Sequence, residues 1–132
     1  MDNNETIQKL ISEAKKALKY SYSPYSKFPV GASVLTKNKK IYSGCNIENS
    51  SYSLTICAER NAIFKAISEG EKEIEYLAIF TDTEKATPPC GSCRQVLTEF
   101  GQNAKVLSVC STDHVLSYKI SELLPDSFTL KK

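Results

Sequence analysis

Apolar positions in the first twenty residues recur at helical spacing. Ile7, Leu10, Ile11, Ala14, Ala17 and Leu18 share one stripe between about Asn4 and Tyr20, with lysines and acids opposite. That is the pattern of a helix with one buried face. The two prolines of SYSPYSKFP end it and impose an extended or turning segment. The pattern then shifts to strand, because VGASVLT and KIYSG flank the polar KNKK and predict a β-hairpin. A Ser/Asn-rich loop, CNIENSSYS, leads into a second helix from about Cys57 to Glu69. Its apolar side is Ala58, Ala62, Ile63, Ala66 and Ile67, and Gly70 is placed to cap it. The run YLAIF, residues 76–80, reads as a strand covered on both faces. After a loop at Thr81–Pro89, a third helix is expected from near Cys90 to Gly101. AKVLSVC is another strand, followed by a turn at Ser111–His114, a weak edge strand and a short helix in ISELLP. Helices interleaved with strands after an initial hairpin predict an α/β fold, a three-layer α-β-α sandwich around a mixed β-sheet.

Length and composition narrow the class. The 132 residues fit one domain spanning 1–132, and no repeat, low-complexity run or linker divides them. A hydrophobic share of 41% and a charged share of 24% exclude a disordered or collagen-like chain. No apolar stretch approaches the roughly 18 residues of a membrane span. MDNNETIQKL lacks the basic-then-apolar pattern of a signal peptide, so a cytoplasmic protein is expected. Seventeen basic against fifteen acidic residues leave +2, too little to indicate a nucleic-acid or membrane partner. Five cysteines, an odd number without an export signal, point to metal ligands or reactive thiols rather than a disulfide framework.

The candidate chemistry lies where two helices begin, at Cys57-Ala58-Glu59-Arg60 and at Cys90-Gly91-Ser92-Cys93-Arg94. The two-residue gap between Cys90 and Cys93 lets one metal ion take both sulfurs, and Cys57 could reach it from the facing helix. Three thiolates with an open fourth place are the donor set of a catalytic zinc site. Such a site needs positive potential nearby. Helix N-termini supply some, and the only two arginines, Arg60 and Arg94, stand beside these cysteines while fifteen lysines lie elsewhere. Glu59 is the candidate proton carrier, provided that Cys57 sits at the very start of its helix. Taken alone, Cys90-x-x-Cys93 reads equally as a redox pair or half of a structural zinc site, so both remain open here. A fourth structural ligand would have to be Cys45, Cys110 or His114. The first two read as buried thiols and His114 as a solvated turn residue.

YSPYSKFPVGA, GCNIENSSYS, CAERNAIFKA, PCGSCRQVL and ELLPDSF, in this order, resemble the zinc-dependent cytidine deaminases across nearly the whole chain. Cysteine at position 57, where the longer relatives carry histidine, is similar to the short three-cysteine branch, which forms homotetramers. The resemblance implies one zinc per subunit on Cys57, Cys90 and Cys93, with Glu59 as proton shuttle. It also implies thiolate support from Arg60, with Arg94 a further candidate, and sugar recognition by Asn46 and Glu48. Phe28 would line the nucleoside pocket, and Phe128 would reach a neighbouring subunit's site. By themselves these two phenylalanines read as packing residues, and Asn46 and Glu48 as loop residues. The implied reaction is hydrolytic deamination of cytidine and 2′-deoxycytidine. The alternatives are another aminopyrimidine such as blasticidin S, or a non-catalytic structural zinc or thiol-redox module.

Overall fold

The N-terminal stripe folds as α1 (Asn4–Ala17), continued by a 3-10 turn over Leu18–Tyr20. The coordinates are those of a computed structural model that describes residues 4–130. Both ends of the expected 1–132 domain lie outside the described residues. The expected hairpin forms as β1 (Gly31–Thr36) and β2 (Ile41–Cys45). There follow α2 (Ala58–Ser68), β3 (Ile74–Phe80), α3 (Gly91–Phe100), β4 (Lys105–Val109), β5 (Val115–Lys119) and the single turn α4 (Ile120–Leu123). A short 3-10 turn at Tyr52–Leu54 lies inside the Ser/Asn-rich loop, where no element was expected.

The five strands form one mixed sheet in the order β2-β1-β3-β4-β5, as the α/β reading anticipated. Successive strand residues point to opposite faces, so each face collects its own core. Leu35, Ala78, Leu107 and Val109 meet Leu10, Ile11 and Ala14 of α1. Val34, Leu77, Ile79 and Val106 meet Ala62 and Ile63 of α2 and Leu97 of α3 on the other side. Each such fully buried Leu or Ile contributes about 1.5–3 kcal/mol relative to exposure. The edge strand β5 alternates exposed and half-buried positions, which accounts for its weak apolar signal.

Topology brings the chemistry to one end. Gly31 pairs with Cys45 on one side and Phe80 on the other, and Phe80 pairs with Val109. The start of β1 and the ends of β2, β3 and β4 therefore lie in one row. Because β1 runs antiparallel to both β2 and β3, those two strands are parallel across it. The units β2-α2-β3 and β3-α3-β4 step the same way along the sheet and pack their helices on the same face. Both helices consequently begin beside each other at the carboxyl ends of the strands, where sites form in such sheets. A glycine permits the tight fit of α2 on the hairpin: a Cβ at Gly44 would lie 2.6 Å from the Ala62 amide nitrogen.

Candidate functional site

Cys57 is the N-cap residue of α2 and Cys90 that of α3, both in extended backbone immediately before the first helical turn. Both residues therefore sit at the positive ends of the two helices, and neither side chain is bonded to the helix amides. Cys93 lies one turn inside α3 and is fully buried. The Sγ atoms of Cys57 and Cys90 are 3.8 Å apart, those of Cys90 and Cys93 are 3.3 Å apart, and all three lie within 4.8 Å of one another. Zinc–sulfur bonds of about 2.3 Å in a tetrahedron put sulfurs about 3.8 Å apart. The trio therefore fits one zinc ion and leaves one coordination place open. Cys110 is buried against the Thr112 hydroxyl, 3.1 Å away, Cys45 is half-buried in a different cleft, and His114 is exposed.

Because Cys57 precedes the first helical turn, Glu59 points to the same side as the sulfurs. It is buried, with 6% of its surface exposed, and its carboxyl lies beside Cys93. Burial pushes its pKa up to about 7. Cys57 moves the other way, down to about 5, because Cys93 donates a hydrogen bond to it and Arg60 adds a second hydrogen bond and a positive charge. Cys93 is raised as the partner that keeps the shared proton. Arg60 Nη2 donates to Cys57 Sγ at 3.4 Å, and its Nε is buried with no partner among the described residues.

Arg94, the other candidate for thiolate support, is used differently. Its Nε donates to the Pro89 carbonyl at 2.8 Å and its Nη1 to the Leu123 carbonyl at 2.9 Å. The helix explains the contrast. Arg60 is three residues past Cys57 and returns to the same face, whereas Arg94 directly follows Cys93 and is rotated about 100° away.

Asn46 and Glu48 leave the end of β2 and interlock with the segment before β1. Asn46 Oδ1 accepts from the Val30 amide at 2.9 Å and the Ser21 hydroxyl at 2.5 Å, and its Nδ2 donates to the Phe28 carbonyl at 2.9 Å. Glu48 Oε1 accepts from the Tyr25 and Ser26 amides at 2.9 and 3.1 Å, while Oε2 accepts from the Ser26 hydroxyl. These bonds, led by that hydroxyl, hold the Glu48 carboxyl below the usual carboxylate range. Tyr25, Ser26, Glu48, Tyr52 and Thr55 line a cleft of about 400 Å³, within the range of small-molecule sites. The rings of Tyr25 and Tyr52 meet edge to face with centroids 6.0 Å apart. Sequence reasoning assigned no role to Ser21, Tyr25, Ser26 or Tyr52. The one available signal was serine and tyrosine packed into the proline-bearing segment 20–26. Phe28 is 39% exposed and Phe128 is 68% exposed, so neither is a core residue.

Comparison with known proteins agrees with a zinc-binding reading of the three cysteines. Residues 4–110 match the family model described as the cytidine and deoxycytidylate deaminase zinc-binding region. The cytidine deaminase of Sporosarcina psychrophila is 49% identical over 125 residues, covering 93% of this chain and 91% of that one. Among solved structures, cytidine deaminase from Burkholderia pseudomallei superposes with a TM-score of 0.88 at 40% identity, covering 92% of this chain and 98% of that one. The Mycobacterium tuberculosis enzyme gives 0.83 at 37% identity, covering 98% and 100%. With the matched model spanning most of the residues and close relatives aligned nearly end to end, the chain belongs to the cytidine and deoxycytidylate deaminase family.

Proposed function

We propose that this chain catalyses the hydrolytic deamination of cytidine and 2′-deoxycytidine to the corresponding uridines, releasing ammonia. One zinc ion per subunit would be held by Cys57, Cys90 and Cys93. The observation that carries this reading is a three-thiol group at two adjoining helix starts, with the buried Glu59 carboxyl beside it. When bound there, zinc supplies a water acidified enough to react at neutral pH. Glu59 would take a proton from the attacking water and deliver it to ring N3, which makes C4 more electrophilic. Once the deprotonated water has added at C4, the same carboxyl would take the proton of the new C4 hydroxyl and pass it to the exocyclic nitrogen, which departs as ammonia as the C4 carbonyl forms. A carboxyl poised near neutrality can accept and release a proton with similar ease, and burial places Glu59 there. Arg60 offsets the negative charge of the thiolates and keeps Cys57 ionised.

Asn46 and Glu48 would hold the sugar, with Phe28 beside it. Their mutual anchoring to the segment 21–30 supports this, because a pre-positioned amide and carboxylate recognise hydroxyls without reordering. Phe128 would stack on the pyrimidine bound by a neighbouring copy, and the enzyme would work as a homotetramer with shared sites. Exposed Tyr22, Ile47, Tyr25 and Tyr52 support self-association, since Tyr22 bridges Ile47 and the two tyrosine rings touch. A cytoplasmic location accords with nucleoside salvage, and no helix among the described residues is long and apolar enough to cross a membrane.

The direct test follows the ultraviolet change of cytidine with purified protein, with and without a zinc chelator, against deoxycytidine, dCMP and blasticidin S. Turnover of cytidine and deoxycytidine that the chelator abolishes is expected. A clear preference for dCMP or blasticidin S would overturn the substrate assignment. Metal analysis and a free-thiol count separate the deaminase from a structural zinc or redox module. Glu59→Gln is expected to stay folded and zinc-loaded with activity down by orders of magnitude, and near-normal turnover would overturn the proton-shuttle role.

A further inference from the structure

The C-terminal segment that follows α4 carries Phe128, and beyond the half-buried Leu124 its large apolar side chains are exposed. Phe128 is 68% exposed and Leu130 is 75% exposed. Between this segment and α3 lies a cleft of about 340 Å³ lined by Thr98, Gln102 and Ser127, with Ile120 and Leu124 on its α4 side. Apolar packing therefore ends near Leu124 and does not set the direction of the span that carries Phe128. Two polar ties from α3 span the gap. Arg94 Nη1 donates to the Leu123 carbonyl at the end of α4, and Gln95 Nε2 donates to the Phe128 carbonyl at 2.9 Å. The backbone turns between them, with Asp126 in the left-handed region at φ 52°. One turn of α3 thus presents three consecutive side chains, about 100° apart, to three different tasks. Cys93 faces the other sulfurs, Arg94 grips the root of the segment, and Gln95 grips its tip.

We propose that Gln95 is a positioning residue for pyrimidine recognition: by holding the Phe128 carbonyl it fixes the direction in which the Phe128 ring projects into the neighbouring copy's site. Arg94 fixes the other end of the same span. The inference rests on the reading that Phe128 works in trans. Without Gln95 the ring must be ordered at the moment of binding, so the cost falls on substrate affinity and not on the proton transfers.

The test uses full-length, zinc-loaded enzyme and compares KM and kcat for cytidine in the parent, Gln95→Met, Phe128→Ala and the double variant. Methionine keeps the length and helix propensity of glutamine but lacks the donor. Losing one hydrogen bond of ordinary strength is expected to raise KM about 3- to 10-fold, with kcat and zinc content unchanged. Phe128→Ala is expected to raise KM at least as much. In its background Gln95→Met should add less than about 2-fold, since the latch acts only through that ring. An unchanged KM in Gln95→Met beside a raised KM in Phe128→Ala would overturn the latch and leave the trans reading standing. An unchanged KM in Phe128→Ala would overturn both. Full additivity in the double variant would make Gln95 a structural residue unrelated to the ring and would also overturn the proposal.

Discussion

Gly44→Ala places one methyl group where two backbones already touch. Its Cβ would sit 2.6 Å from the Ala62 nitrogen, 2.9 Å from the Asn61 carbonyl carbon and 3.0 Å from the Ala58 oxygen. All are main-chain atoms of α2, so no side chain can rotate away. Ordinary contact begins near 3.5 Å, so α2 and β2 must separate by about 1 Å. Such overpacking costs about 1–3 kcal/mol of stability. The functional loss should be larger than the stability loss implies. α2 carries Cys57 at its N-cap and Glu59 in its first turn, metal geometry tolerates only about 0.2 Å, and a misplacement of about 1 Å can cost about 100-fold in rate. The expected result is a folded protein with a lowered Tm, reduced zinc occupancy and kcat/KM for cytidine down about 100-fold. Gly91→Ala is the matched control. Gly91 opens α3 between Cys90 and Cys93, yet a Cβ there meets nothing within 4 Å. It should leave activity intact and leave Tm unchanged or slightly raised. Parent-like zinc binding and turnover in Gly44→Ala would refute the argument that hairpin contact sets the position of α2.

Arg60→Gln removes the charge beside Cys57 and is expected to weaken zinc binding about 10- to 100-fold, measured by chelator competition. Unchanged affinity would show that the helix ends suffice. Ser26→Ala removes the hydroxyl that does most to hold the Glu48 carboxyl below its usual range. A depressed carboxylate contributes above its unfolded pKa and is lost as pH falls through the folded value. The variant should therefore lose cytidine affinity at a higher pH on the acid side, and an unmoved KM–pH profile would count against Glu48 as a ligand.

Much of the layering was legible because its signals are local. The stripe from Ile7 to Leu18, the KNKK turn and the helix starts near Cys57 and Cys90 each depend on near neighbours in sequence. Boundaries drifted where local signals fade: the first helix tightened into a 3-10 turn after Ala17, and ISELLP closed only one turn. The sheet pattern was less legible. Placing β1 between β2 and β3 leaves β3 and β4 as the parallel neighbours within the five-stranded sheet, although the site still gathers at one end. Spacing to the cysteines alone did not distinguish Arg60 from Arg94, because proximity in sequence ignores helical rotation. The partners of Asn46 and Glu48 were hidden for another reason. Ser21 and Ser26 lie more than twenty residues away and meet them only once the hairpin closes.

The anchoring of Asn46 and Glu48 also limits what they can read. An amide oxygen has two lone pairs and an amide nitrogen two protons. On Asn46, Val30 and Ser21 occupy both lone pairs and Phe28 takes one proton. On Glu48, the Tyr25 and Ser26 amides fill one oxygen and the Ser26 hydroxyl takes a share of the other. What remains is one donor and one acceptor, enough to satisfy one hydroxyl fully or two by a single bond each. In the proposed role, a pair with that capacity would register a sugar without counting its hydroxyl groups, and would have no means of its own to reject a sugar that lacks one.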